Sequence, residues 1–233
     1  LEKQFVFLEH NSAIGVVGTA FQIIDSNSCK QDKCIFPLSD SHIKWSLFLY
    51  CPLVHPSVMI RKYLLEGVGG YSLDIKYSQD YDLWFRISKI TSFENLPDIL
   101  IYLRKHSSNI SSMHAATQIN TAININRQII SDFLNEQVSF EVAKKLWNRN
   151  ITNVLDAIEI INIVNKLKSN FLKKLNSNDE KKFVNKYIIE LIDSIFSNFT
   201  IKQLTIPLLY NPSILLFVLA NKKATNLLKF LIK

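Results

Sequence analysis

The sequence is poor in the residues that staple or interrupt a chain. It has three cysteines, Cys29, Cys34 and Cys51. So small and odd a number builds no disulfide framework, and Cys29 with Cys34 lacks two further ligands for a zinc site, His42 being a poor complement. Free thiols in a reducing cytoplasm are the plain reading. Glycine is scarce, and all five glycines lie at or before residue 70. No proline falls between Pro97 and Pro207, which removes the commonest helix stop from a long stretch. The strongest apolar run, residues 204–219, is too short to span a bilayer comfortably, and Pro207, Asn211 and Pro212 interrupt it. Charged residues make up 20% against 48% hydrophobic, which excludes a disordered chain. No signal peptide is evident. Residue 1 is Leu, and residues 1–5 read as the middle of an amphipathic helix, so the natural N-terminus is expected upstream.

What is present divides the chain in two. Residues 1–114 carry all five histidines and equal numbers of basic and acidic side chains, so the whole net charge of +7 resides in residues 115–233. A domain boundary has this appearance. Residues 14–24 read as a buried strand ending in the turn formers Asp25-Ser26-Asn27-Ser28. Residues 39–50 read as a helix capped by Ser39 or Asp40, residues 54–60 as a strand, and residues 80–90 as a helix with Leu83, Trp84, Ile87 and Ile90 on its apolar face. Residues 92–103 read as extended and broken at Pro97. Helices and strands in alternation indicate an α/β layer. Residues 115–233 are expected to form an all-α helical domain: apolar positions keep a helical period over 154–175 and again over 183–199, with Ser177 or Asn178 capping the second helix. The basic side chains near the C-terminus (Lys222, Lys223, Lys229, Lys233) would let residues 204–219 rest on an anionic membrane surface; a terminal helical hairpin packed on its own domain is the alternative. Basic residues scattered without aromatic interleaving argue against a nucleic-acid partner.

Three blocks in residues 54–111 carry the chemistry. The first is His55-Pro56-Ser57-Val58-Met59-Ile60-Arg61. The second joins Gly69-Gly70-Tyr71 to Gln79-Asp80-Tyr81-Asp82-Leu83-Trp84-Phe85-Arg86. The third is Tyr102-Leu103-Arg104-Lys105-His106, ending at Ser111. Asp80 stands where a loop of turn formers meets a helix; a carboxylate there is either an N-cap or a base fixed by the helix's free N–H groups. Asp82, in the first turn, suits the helix dipole. Gly69 and Gly70 read as backbone requirements, a positive φ or a close approach. Arg104 and His106 alternate on an extended segment and share a face, either as a solvated basic loop or as a clamp for a diphosphate. His55, before Pro56, should be held extended.

In this order and at these separations the blocks resemble the acceptor half of a family 2 glycosyltransferase with the GT-A fold. The resemblance covers about residues 1–114, as a partial GT-A sheet with flanking helices. It implies transfer of a sugar from a nucleotide-sugar donor to a glycan or lipid-linked acceptor hydroxyl, with inversion, in bacterial surface polysaccharide biosynthesis. Asp80 would be the catalytic base, Arg104 and His106 would lie by the donor diphosphate and metal, and His55, Gly69, Gly70 and Gln79 would lie on the acceptor side. Gln79 stands where Glu is commoner, which leaves the base intact and removes one neighbouring negative charge. Similar enzymes hold Mg²⁺ or Mn²⁺ through an Asp-x-Asp motif at a strand end just upstream of a helix like residues 1–10. Nothing before Asp25 supplies that motif, so the chain is expected to begin after its metal site, to hold no metal ligands and to be inactive alone. The place of action would be the cytoplasm, peripheral to the inner face of the membrane. The rival reading is a non-catalytic interaction or membrane-surface module with a decayed transferase fold.

Overall fold

In the computed structural model, which describes residues 1–105, 113–151 and 153–196, the chain forms two compact units, divided between Val138 and Ser139. The first begins with helix α1 (Glu2–His10) and strand β1 (Ile14–Ile24). Every residue of β1 after Ile14 is buried, as expected for a strand covered on both faces. It is the centre of a four-stranded sheet. Strand β2 (Lys30–Cys34) and the short strand β3 (Met59–Ile60) pair with it antiparallel, through Phe21 opposite Cys34 and Val17 opposite Met59. Strand β4 (Ser92–Arg104) pairs with it in parallel over its whole length, from Ile14 opposite Ser92 to Ile24 opposite Arg104. The sheet is therefore mixed.

Pro97 does not break β4. The register steps from Thr19 opposite Leu96 to Ala20 opposite Ile99, so Pro97 and Asp98 lie in a bulge that asks no N–H of the proline. Lys3 of α1 pairs with Asp98 there. The expected strand over 54–60 is also shorter. Residues His55–Ser57 form one 3₁₀ turn, and only Met59–Ile60 is strand. The Ser57 hydroxyl closes the turn on Val54 O at 2.9 Å and accepts from Thr19 N at 3.3 Å. This local closure overrides the extended bias before proline, so His55 sits in a turn.

Among the described residues, four further helices belong to the first unit: α2 (Asp40–Ser46), α3 (Lys62–Gly67), α4 (Gln79–Ser88) and α5 (Ala115–Leu134). Asp40 does not cap α2 with its side chain; it accepts from Phe93 N at 2.9 Å and pairs with Lys44. The core joins β1 to Ile43, Trp45, Leu83, Trp84, Ile87, Phe93, Ile123 and Ile129, each nearly or wholly inaccessible. Helix α5, which follows the step in composition near residue 115, belongs to this unit. Its Asn126, fully buried, donates to Phe48 O at 2.9 Å and to the Tyr81 hydroxyl at 3.0 Å, while that hydroxyl donates to Leu47 O at 2.6 Å. Burial drives the Tyr81 phenol far above its ordinary pKa. Tyr81→Phe is expected to cost about 1–3 kcal/mol, the usual penalty for leaving buried partners unpaired. Urea denaturation should show the loss as a lowered midpoint with an unchanged slope.

The described part of the second unit comprises helices α6 (Phe140–Asn148), α7 (Val154–Leu172) and α8 (Asn178–Phe196). Ser139 caps α6 by accepting from Val142 N, and Asn153 caps α7 by accepting from Asp156 N. Ser177 accepts from Asp179 N at the start of α8. Helix α7 packs against both neighbours through Ile160, Ile161, Val164 and Leu167, facing residues such as Val184, Ile188 and Ile192 on α8, all buried. Among the described residues no helix is long and apolar enough to cross a membrane. The apolar run at 204–219, proposed to touch a membrane surface, lies outside the described residues.

Candidate functional site

Three sequence-distant segments meet beside the start of α4. Asp80 is the second residue of that helix, so it is not the N-cap; Ser78 holds that place, in the left-handed region at φ 56°, and its hydroxyl donates to Gln118 O instead of capping. Gln79 opens the helix, half-buried. Asp80 is half-buried as well, and among the described residues it forms no ion pair and accepts no hydrogen bond. Its charge is nonetheless felt nearby. Burial, and after it the negative charge of Asp80, raises the Tyr71 phenol above its ordinary pKa; the same two causes raise the Cys51 thiol far above the usual range. Cys51 therefore stays a thiol, donating to Leu53 O at 3.5 Å. Asp80→Asn should let Tyr71 ionise at lower pH than it does in the parent chain, because one of the two causes that raise it is gone. A phenol titration followed by NMR or ultraviolet absorbance would measure this; an unmoved Tyr71 would contradict the placement.

His55 lies on the same side. Its Nε2 and the Tyr71 hydroxyl share a hydrogen bond of 2.8 Å, and its ring stands edge-on to Trp84 at 6.1 Å between centroids. Trp84 is one helical turn beyond Asp80, on the same helix face. The structure thus brings together His55, Tyr71 and Asp80, of which Tyr71 was quoted in the sequence without a role.

The glycine pair explains how Tyr71 arrives there. Gly69 and Gly70 have φ of 76° and 71°. Gly69 N donates to Glu66 O and Gly70 N to Leu65 O, the two bonds of a Schellman cap ending α3. Nothing crowds a Cβ at either position, so the requirement is the left-handed backbone and not a close approach. Arg86, which sequence reasoning passed over, fastens this cap to α4. Its Nη1 donates to Val68 O at 2.7 Å, its Nη2 to Gly70 O at 2.8 Å, and its Nε to Asp82 Oδ2 at 2.9 Å. Asp82 is accordingly the half-buried partner of Arg86, four residues on. The only hint in the sequence is that i, i+4 spacing.

Arg104 is placed elsewhere. It ends β4 opposite Ile24, and its guanidinium donates to Asp25 O, Ser26 O and Ser28 Oγ, bracing the β1–β2 turn. The His55 turn meets β1 at Thr19; Thr19 and Ile24 are about 16 Å apart at the usual rise of a strand. His106 and Ser111 lie outside the described residues. Among the described residues no three His, Cys, Asp or Glu side chains come together to hold a metal ion. These residues therefore supply no site fitted to Mg²⁺ or Mn²⁺.

Chemically, the arrangement is a carboxyl group without a partner among the described residues, next to a hydroxyl-bearing aromatic wall and fixed on a rigid helix. Such a carboxylate can accept a proton from a bound hydroxyl. No protein-family model matches the chain. It is 27% identical over 145 residues to an uncharacterized glycosyltransferase of Haemophilus influenzae, covering 58% of this chain and 45% of that protein. It is 26% identical over 161 residues to the O-antigen biosynthesis glycosyltransferase WbnJ of Escherichia coli, covering 68% and 56%. With an uncharacterized glycosyltransferase of Methanocaldococcus jannaschii it shares 32% over 110 residues, covering 45% and 36%. The chain spans about half the length of these relatives or less. In two bacteria and an archaeon, what this chain is similar to is named a glycosyltransferase.

Proposed function

We propose that the chain is the acceptor-side part of a GT-A-type, family 2 glycosyltransferase that moves a sugar from a nucleotide-sugar donor to a glycan or lipid-linked hydroxyl. The observation that carries this reading is Asp80: a carboxylate without a partner among the described residues, on a helix locked in place by Arg86, in a chain similar to named glycosyltransferases. Asp80 would take the proton from the acceptor hydroxyl as that oxygen attacks the sugar carbon. A single base driving direct displacement inverts the configuration there. The negative charge of the departing diphosphate needs cations; with Arg104 engaged in the β1–β2 turn, His106 and Mg²⁺ or Mn²⁺ held by residues other than those described are the proposed source. The helices after Ser139 would form an all-α accessory domain, and residues 204–233 a peripheral contact with the inner face of a membrane. The name of the Escherichia coli relative suggests surface polysaccharide as the product class.

The test is transfer by the natural gene product, supplied with a panel of nucleotide sugars and bacterial surface glycans, for the parent and for Asp80→Asn. Transfer in the parent, lost in a variant that folds equally well, supports the enzyme. Equal transfer in both removes Asp80 as the base, and absence of transfer with every donor turns the reading toward a non-catalytic module.

A further inference from the structure

We propose that Tyr71, steadied by His55, is the platform on which a pyranose ring of the acceptor stacks to present its hydroxyl to Asp80. The inference rests on the reading of Asp80 as the base and extends it to the class of acceptor: a sugar, free or at the end of a lipid-linked chain, recognised by one apolar face.

Tyr71 is 40% exposed although its hydroxyl is already engaged by His55 at 2.8 Å. An aromatic ring tethered at its polar end presents its face to solvent at a fixed angle, with little side-chain entropy left to lose on binding. The His55 ring, itself exposed, leans against Tyr71 with centroids 5.7 Å apart and is backed by the buried Trp84. The wall therefore cannot fold flat against α4. The electron-rich face of a phenol attracts the slightly positive C–H bonds along one side of a pyranose, while the hydroxyls around the ring remain free. Through His55 the phenol stands by Trp84, one helical turn beyond Asp80 on the same helix face, so a ring stacked on it lies on the Asp80 side of α4. The left-handed Gly69 and Gly70, held by Arg86, fix where Tyr71 begins. A general scaffold would not need an exposed aromatic held this rigidly.

The 233-residue chain can be tested directly by saturation-transfer NMR. The probes are methyl β-D-glucopyranoside, methyl β-D-galactopyranoside and methyl N-acetyl-β-D-glucosaminide, at millimolar concentration. At least one should receive saturation mainly on the protons of one ring face, and should shift the ring signals of Tyr71. Tyr71→Ala should weaken that binding about tenfold, in line with one aromatic contact. Tyr71→Phe, which keeps the face and loses the tether to His55, should weaken it less than Tyr71→Ala does. Absence of one-faced transfer with all three glycosides would overturn the inference, as would binding that leaves the Tyr71 signals unmoved; the latter needs no variant. Parental binding by a folded Tyr71→Ala would do the same. These outcomes are separate from the fate of the base: Tyr71 stands or falls on glycoside binding, and Asp80 on transfer by the natural gene product.

Discussion

Replacing Asp80 with Asn is expected to lower sugar transfer by the natural gene product about 10²–10⁴-fold, the usual worth of a positioned general base. That corresponds to about 3–5 kcal/mol of barrier. Asn keeps the shape of the side chain and loses only its ability to accept the proton. Because Asp80 has no partner among the described residues, the change breaks no hydrogen bond there, and the fold should be kept. Asp82→Asn makes an instructive contrast. It is the same chemical change two residues away, but it weakens the ion pair with Arg86, so its effect belongs to stability. Comparing kcat with urea midpoints for the two variants separates base from brace. Transfer retained by Asp80→Asn within about threefold would mean that no general base acts there.

The second large effect is expected from Arg86→Ala: a loss of about 2–4 kcal/mol, because one deletion strands a half-buried carboxylate and two carbonyls together. The bonds lost are those to Asp82, Val68 O and Gly70 O. Arg86→Lys should fall between, since a single ammonium cannot span partners that a planar guanidinium reaches at once. Hydrogen exchange of the α4 amides, followed beside urea unfolding, is the check. Faster exchange confined to the first unit is expected, and parental exchange in Arg86→Ala would show that the clamp carries nothing.

How much of this was legible depended on how local the cause is. The apolar stripe Leu83, Trp84 and Ile87 announced α4 and its buried face, because a helical period is written in consecutive residues; Ile90 missed, remaining 55% exposed, since the helix stops at Ser88. The positive φ of Gly69 and Gly70 could be anticipated from residue type alone. The 3₁₀ turn at His55 could not, as it depends on a Ser57 hydroxyl that answers to Thr19 on another strand. Arg86 stood in plain view within a motif, yet two of its three partners are backbone carbonyls of a distant cap, and no pattern of side chains encodes those. Asp80 was visible, and the resemblance put His55 on the acceptor side; that His55 bonds Tyr71 required the fold. Arg104 read as part of a solvated basic loop or of a diphosphate clamp, whereas the sheet register delivers it to the β1–β2 turn.

The bond between Tyr81 and Asn126 also bears on inheritance. Each side chain is an acceptable buried group only while the other is present, with Leu47 O and Phe48 O as their further partners. A lone change to an apolar residue at either position costs the other side chain a bond, and changing both takes the donor from Leu47 O and from Phe48 O as well. Descendants of this sequence should therefore keep the two together. A survey that scores one position at a time would mistake this frame, hidden behind the reacting face, for part of the face itself.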